Sequence, residues 1–413
     1  MYTPHITRLS NIALRAATLA SKFLLVFVLA RYLEPEELGL YGLITATISY
    51  ALFLVGLDFY IYTTREIASK PKSEWGLILK SQLALYLVLY AIFSPILLLL
   101  FTENILPWHT LHWFIPLLIF EHISQELNRL LVAISKPIEA SIVLFLRMGA
   151  WALSIVLIMY LSPDFRSLNY TLMFWTAGSF IACSTGVLYV VKTGAGGWSK
   201  PVAWQWLISG IKIAIPFLIA TLALRGIFTL DRYLVEHLVG LNILGAYVLF
   251  FGLANALMSF LDSGVFTFIY PKLIAAHAQN KPEEFNTEMR KLIKQTIAVS
   301  LIFSATSMFM IEPILDWIDK PLYHEQIMLY PWIMLAVLIF CISMIPHYGL
   351  YAKGKDRQII ISHICGFIVF SGSTPLYLGI SRELAVPFGL CTAFSLVFLI
   401  KFISYRKLIK ATN

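Results

Sequence analysis

Apolar residues run through this chain in long blocks, without the alternation that marks elements with one wet face. Each block is about the length of a bilayer-crossing helix, which needs about 20 residues. The blocks predict twelve spans, near 10–31, 38–62, 80–101, 112–135, 139–161, 171–192, 206–229, 240–270, 295–315, 328–350, 359–380 and 385–404. Short polar segments separate them. The expected fold class is all-α: a polytopic membrane protein of about 12 transmembrane helices.

Composition sharpens this reading. The 413 residues are 59% hydrophobic and 13% charged, whereas a soluble domain carries about a quarter charged residues. The polar start, Met1 to Arg8, runs into a block long enough to span, so no cleavable leader is expected. Cys183, Cys341, Cys365 and Cys391 all fall inside predicted spans without metal-ligand spacing, so neither a disulfide nor a cofactor is expected.

The net charge of +8 raises nucleic acid as a partner, and the distribution of the charge excludes it. With the N-terminus inside, twenty of the 31 Lys and Arg fall in inner segments, Lys401 among them, and five in outer ones. That asymmetry is the positive-inside pattern and predicts a multi-pass membrane protein with both termini cytoplasmic.

The sequence also echoes itself. Arg31-Tyr32-Leu33 recurs as Arg232-Tyr233-Leu234, each followed by Leu-Gly and a Tyr (Leu38-Gly39 and Tyr41; Leu244-Gly245 and Tyr247). Leu131 to Lys136 is similarly echoed by Leu350 to Lys355. Six spans per half is an even number, so two six-helix bundles are expected, related by a pseudo-twofold axis along the membrane normal. The predicted domains are 1–192, a cytoplasmic linker 193–205, and 206–413.

Gly194-Ala195-Gly196-Gly197 in that linker reads as a flexible crossing. The charged stretch Lys272–Lys294 reads as a solvated or headgroup-lying helix. Gly349 to Asp356 approaches a phosphate-binding loop, but Asp356 stands where a hydroxyl is required and an apolar helix precedes it, so nucleotide binding is rejected.

The charges inside the spans carry the chemistry. A cation near the bilayer centre costs about 2.5–3.5 kcal/mol on insertion scales, so it faces a cavity or a partner. Arg15, Lys22, Arg129, Arg147 and Lys212 form a basic set against Asp58, Glu121 and Glu126. Arg15 and Lys22 are seven residues apart and share one helix face. Glu126 and Arg129 have the spacing of an intrahelical pair, Lys212 can reach the inner headgroups, and Arg225 can snorkel outward. The excess of cations predicts an inward-open cavity for an anion, and Arg favours phosphate oxygens. Asp58, Glu121 and Glu126 are candidates for ion coupling or for charge balance. No nucleophile or metal cluster accompanies His122, and His109 and His112 belong with Trp108 and Trp113 in an interfacial belt, so no enzyme is expected.

The run Leu29-Ala-Arg31-Tyr-Leu-Glu-Pro35-Glu-Glu-Leu-Gly39-Leu-Tyr41-Gly42 resembles the signature of Wzx-type O-antigen flippases and related polysaccharide exporters. Gly56-Leu57-Asp58, Arg65-Glu66-Ile67-Ala68, Ala133 with Lys136, and Ala352 to Lys355 continue the likeness, while Glu34 departs from the glycine common there. The resemblance implies the fold of the multidrug/oligosaccharidyl-lipid/polysaccharide exporters, with two bundles and alternating access. It implies an undecaprenyl-diphosphate oligosaccharide as substrate, within the membrane lipid, and other polysaccharide-assembly proteins as partners. Three rivals stay open: a cation-coupled drug exporter of the same fold, a lipid II flippase (a family with two further spans), and a membrane glycan polymerase or transferase, which needs larger outer loops.

Overall fold

The computed structural model describes residues 4–412, with side-chain surroundings from Ser10 to Lys410. Arg8, counted above among the inner cations, lies outside the described side chains. Every regular element among the described residues is helical. The long ones are α1 (Pro4–Tyr32), α2 (Pro35–Gly56), α4 (Lys72–Thr102), α5 (Leu111–Ala133), α8 (Leu168–Val191), α9 (Trp204–Leu261), α11 (Pro282–Ile318), α13 (Leu329–Ala352), α14 (Asp356–Ser373) and α15 (Ala385–Thr412). Shorter pieces fill the chain order: α3 (Tyr60–Ser69), α6 (Pro137–Phe145), α7 (Trp151–Leu161), α10 (Thr267–Ala278) and α12 (Pro321–Glu325). Single π-turns at Leu146–Ala150 and Asp262–Phe266 join α6 to α7 and α9 to α10.

Ten helical segments are long and apolar enough to cross a membrane. One of them, Trp204–Ala278, is broken at Gly240, whose φ of 85° is left-handed. Dividing it there gives eleven segments, and α5, which carries Glu121, Glu126 and Arg129, is a 23-residue helix where the remaining span was expected. The protein is a multi-pass, all-α membrane protein. Predicted boundaries shift where local chemistry differs from hydropathy. The second span stops at Gly56 rather than near 62, because Leu57 and Asp58 take positive φ (52° and 49°) and turn the chain into α3. The expected outer loop between the seventh and eighth spans is helical up to Gly240. Lys272–Lys294 forms no separate surface helix. α10 ends at Ala278, and α11 starts at Pro282 with Phe285, Met289 and Leu292 buried on one face. The segment from Gly349 to Asp356 links helix to helix, as the rejection of a phosphate loop requires.

Two compact units emerge. The first holds residues 1–33 and 43–218, the second 34–42 and 219–413. In the first unit α5 is the central helix, packed on α3, α6 and α8, while α1 lies along α6 and α7. In the second, α15 packs on α13 and α14, and α11 on α10 and α13.

The glycine-rich linker is not a free crossing. Gly196 N–H donates to the Lys72 carbonyl (2.9 Å), and Gly76 N–H donates to the Gly196 carbonyl (2.6 Å). Lys80 Nζ donates to the carbonyls of Trp198 (3.2 Å) and Lys200 (3.1 Å). These bonds dock the linker on the first turns of α4. A Cβ on Gly76 would sit 2.5 Å from the Gly196 oxygen, and one on Gly197 would sit 2.7 Å from the Ser73 oxygen, so these glycines serve close approach.

The echoed glycines meet in the second unit. A Cβ on Gly39 would fall 2.3 Å from the Leu241 oxygen, and one on Gly245 would fall 2.0 Å from the Pro35 oxygen. The start of α2 and the half of α9 after Gly240 therefore cross with backbones in contact, the close approach that small residues permit in membranes. Gly245→Val is expected to destabilise the chain by about 1–3 kcal/mol through overpacking. Thermal unfolding of the purified protein in detergent would read this as a lower midpoint, and an unchanged midpoint would contradict the contact.

Candidate functional site

Two ion pairs organise the polar interior of the first unit, and both carboxylates come from α5. Glu121 is buried and accepts from Trp175 Nε1 (2.8 Å) and Ser179 Oγ (2.6 Å), both on α8. Arg147 approaches the same carboxylate at 3.7 Å, which is an ion pair too long for a hydrogen bond. Its Nε and Nη1 are buried without a hydrogen-bond partner among the described residues. Arg147 stands in the π-turn between α6 and α7, an insertion that recurs at functional sites.

One turn along α5, Glu126 is held by Arg129 (2.7 Å), by Gln82 Nε2 (3.0 Å) and by the Tyr86 hydroxyl. Arg129 also lies over the ring of Tyr60, 3.7 Å from its centroid, so two interactions fix it. His122 turns away from Glu121, toward Tyr90, whose hydroxyl is 2.9 Å from Nδ1, and toward the edge of Tyr86. Adjacent residues on a helix diverge in this way.

The remaining sequence candidates sit differently. Arg15 and Lys22 are exposed on α1, beside its buried stripe of Thr18, Ser21 and Leu25. The π-turn that carries Arg147 packs against that stripe. A Cβ on Gly149 would lie 3.2 Å from the Cα of Thr18, midway between Arg15 and Lys22 in sequence. Lys212 is exposed on the part of α9 that belongs to the first unit. Asp58 is buried in the turn after α2. The five predicted cations thus divide into two held by carboxylates, Arg129 and Arg147, and three exposed, Arg15, Lys22 and Lys212.

Several members of this network escaped the sequence reading. Gln82 was visible as a lone amide in a long apolar run. Tyr60, Tyr86, Trp175 and Ser179 gave no signal, because their roles arise only when α3, α4 and α8 meet α5.

The second unit holds a polar centre that the sequence hid. Lys401, placed above among the cytoplasmic lysines, is 0% exposed, and its Nζ has no hydrogen-bond partner among the described residues. The physical reason is that α13 and α14 enclose that stretch of α15 on its inner flank. His347 and His363, whose rings stack at 6.1 Å, are near neighbours of Lys401. His347 also borders a cavity of about 400 Å³ lined by Asp262, Phe266, Tyr270, Tyr348 and Tyr351. No group of three metal-ligating side chains occurs among the described residues.

Among the described residues, ten helical segments are long and apolar enough to cross a membrane, and paired charges lie inside the first unit. Residues 10–277 match the family described as "Polysaccharide biosynthesis protein", and the chain belongs to that family. No curated protein matches it. Among solved structures, a multidrug resistance MATE family transporter of the MOP superfamily in its inward-facing conformation superposes with a TM-score of 0.76 at 13% identity, over 97% of this chain and 98% of that one. MATE in a bent conformation gives 0.61 at 15% identity, covering 98% and 95%. A MOP superfamily transporter from Pyrococcus furiosus, described as having a binding pocket of reversed polarity, gives 0.58 at 13%, covering 98% and 94%. The fold is that of the MATE and MOP transporters.

Proposed function

We propose that this protein is a flippase that carries an undecaprenyl-diphosphate-linked oligosaccharide from the cytoplasmic to the periplasmic leaflet of the inner membrane by alternating access. The reading is carried by the cationic excess of the first unit, in a chain of the polysaccharide biosynthesis family with a transporter fold. Arg15 and Lys22 lie exposed on α1, next to the π-turn of Arg147, and Lys212 adds a third exposed cation. Diphosphate oxygens suit these donors, and a buried guanidinium with two donors unpartnered among the described residues favours an anionic guest. Asp58, Glu121 and Glu126 serve charge balance in this scheme. Glu121 and Glu126 already accept two or three protein donors each. The membrane potential assists export, since a negative charge leaving a negative interior gains about 2.3 kcal/mol per 100 mV.

The test is made in a strain lacking the gene. Undecaprenyl-diphosphate oligosaccharide is expected to accumulate in the inner leaflet while surface glycan is lost. Complementation with Arg15→Ala/Lys22→Ala is expected to leave surface glycan at least about tenfold below wild type, because charge-assisted hydrogen bonds contribute about 1.5–3 kcal/mol each. Wild-type glycan levels from that variant would overturn the assignment.

A second reading has one observation in its favour. The cavity of the second unit pairs a carboxylate, Asp262, with four aromatic rings, Phe266, Tyr270, Tyr348 and Tyr351, a combination suited to an organic cation. If the chain exports drugs, the deletion strain becomes sensitive to cationic compounds with its surface glycan intact, and Asp262→Asn reproduces that phenotype.

A further inference from the structure

Three helices of the first unit end around one cavity. α5 closes at Ala133, α8 closes at Val191, and α4 opens at Lys72. The space between these ends is about 310 Å³ and is lined by Lys72, Lys136 and Lys192, one lysine from each junction, with Trp75 and Tyr189 among its walls and Leu131 and Ile134 as its apolar part. Because all three helices cross the membrane or approach its length, their ends lie at the boundary between hydrocarbon and water. Positive-inside logic assigns this face to the cytoplasm.

Each component has a physical meaning at that depth. Lysines close to a surface of anionic lipid each contribute about fivefold in affinity. Trp and Tyr rings favour the headgroup level, where one edge is apolar and the other wet. Trp75 spends its indole N–H on the Lys70 carbonyl (3.0 Å), which fixes the ring as a wall. Glu139 is the one carboxylate lining the cavity, and it is tied to Lys136 at 3.3 Å. The docked linker holds the first turn of α4 in place through the bond from Gly196 N–H to the Lys72 carbonyl.

We propose that this cavity is a binding site for the phosphodiester headgroup of an anionic phospholipid. The three lysines surround the phosphate, the rings flank the glycerol backbone, and Ile134, backed by the buried Leu131, meets the first methylenes of the acyl chains. The lysines also suit a free phosphate or diphosphate, but the aromatic and apolar walls fit a lipid lying at the membrane boundary. The site stands apart from the ion pairs of α5 and does not rest on the transport reading.

Native mass spectrometry of the full-length protein in detergent provides the test, with phosphatidylglycerol and phosphatidylethanolamine as probes. Wild type is expected to retain phosphatidylglycerol in preference to phosphatidylethanolamine. Lys72→Gln/Lys136→Gln/Lys192→Gln should weaken phosphatidylglycerol about a hundredfold. Lys281→Gln/Lys294→Gln, which removes equally exposed charge elsewhere, should change it less than twofold. Glu139→Gln releases Lys136 and should tighten binding severalfold, a gain that damage to the fold cannot produce. Equal retention of both lipids, or equal losses from the two lysine variants, would overturn the site. Inorganic pyrophosphate binding to wild type without retention of phosphatidylglycerol would reassign it to a soluble anion and equally defeat the lipid proposal.

Discussion

Glu121→Leu is expected to destabilise the protein by about 3–5 kcal/mol, the cost of leaving one partner of a buried ion pair uncompensated. Arg147 would keep its charge inside the first unit with Nε and Nη1 already lacking hydrogen bonds among the described residues. The converse change, Arg147→Met, should cost clearly less. Glu121 would still accept from Trp175 Nε1 at 2.8 Å and Ser179 Oγ at 2.6 Å, so its charge keeps two donors. Combining Glu121→Leu with Arg147→Met should recover much of the loss, because a buried pair replaced by apolar residues is often neutral or stabilising. Thermal unfolding in detergent orders the four proteins: wild type, the double variant and Arg147→Met above Glu121→Leu. If Glu121→Leu melts with wild type, the pair contributes nothing and Arg147 finds its compensation elsewhere.

This asymmetry bears on the proposed export. A carboxylate satisfied by α8 is a fixed post, whereas the arginine opposite it is held at a distance of 3.7 Å with donors to spare. Arg129 is the contrasting case. Its 2.7 Å bond to Glu126 and its seat over Tyr60 leave it structurally committed. Of the two paired arginines, Arg147 is the one that keeps guanidinium nitrogens without hydrogen-bond partners among the described residues, as the proposed anion site requires.

Much of the fold was legible because a bilayer imposes one simple demand, about 20 apolar residues per crossing. Even α5, with Glu121, Glu126 and Arg129, is helical where a span was expected. The departures came where short-range hydropathy is silent. The positive φ values at Leu57 and Asp58 end α2 early, and no apolar pattern encodes them. Glycines at 196 and 197 carry a composition common to flexible linkers and close contacts alike, and the first turns of α4 decide between the two. For Gly39 and Gly245 the echo in sequence was visible, but not that the two glycines cross each other. The site divided in the same way. Charged residues announced themselves, and the Glu126–Arg129 spacing indicated a local pair. Pairing between Glu121 and Arg147, 26 positions apart on different helices, depends on packing that no local pattern reports.

Lys401 is the plainest instance of that limit and gives the last expected result. A lysine near the expected cytoplasmic end of α15 fits the positive-inside pattern, yet it is completely buried on a helix that packs against α13 and α14. Its amine, His347 Nδ1 and His363 Nε2 are three buried nitrogens without hydrogen-bond partners among the described residues. A buried charge in this setting costs several kcal/mol unless paired. Lys401→Met keeps the length of the side chain and removes the charge, so it should stabilise the protein by about 1–4 kcal/mol, the range found when buried charges give way to apolar residues of similar volume. Lys401→Gln should recover less, since its amide still needs partners that the surrounding helices do not offer. Melting midpoints in detergent in the order Met above Gln, with wild type lowest, are the expected outcome. A methionine variant that melts below wild type would mean that the ammonium is compensated by a bound group, making Lys401 a ligand rather than a strained remnant of the positive-inside pattern.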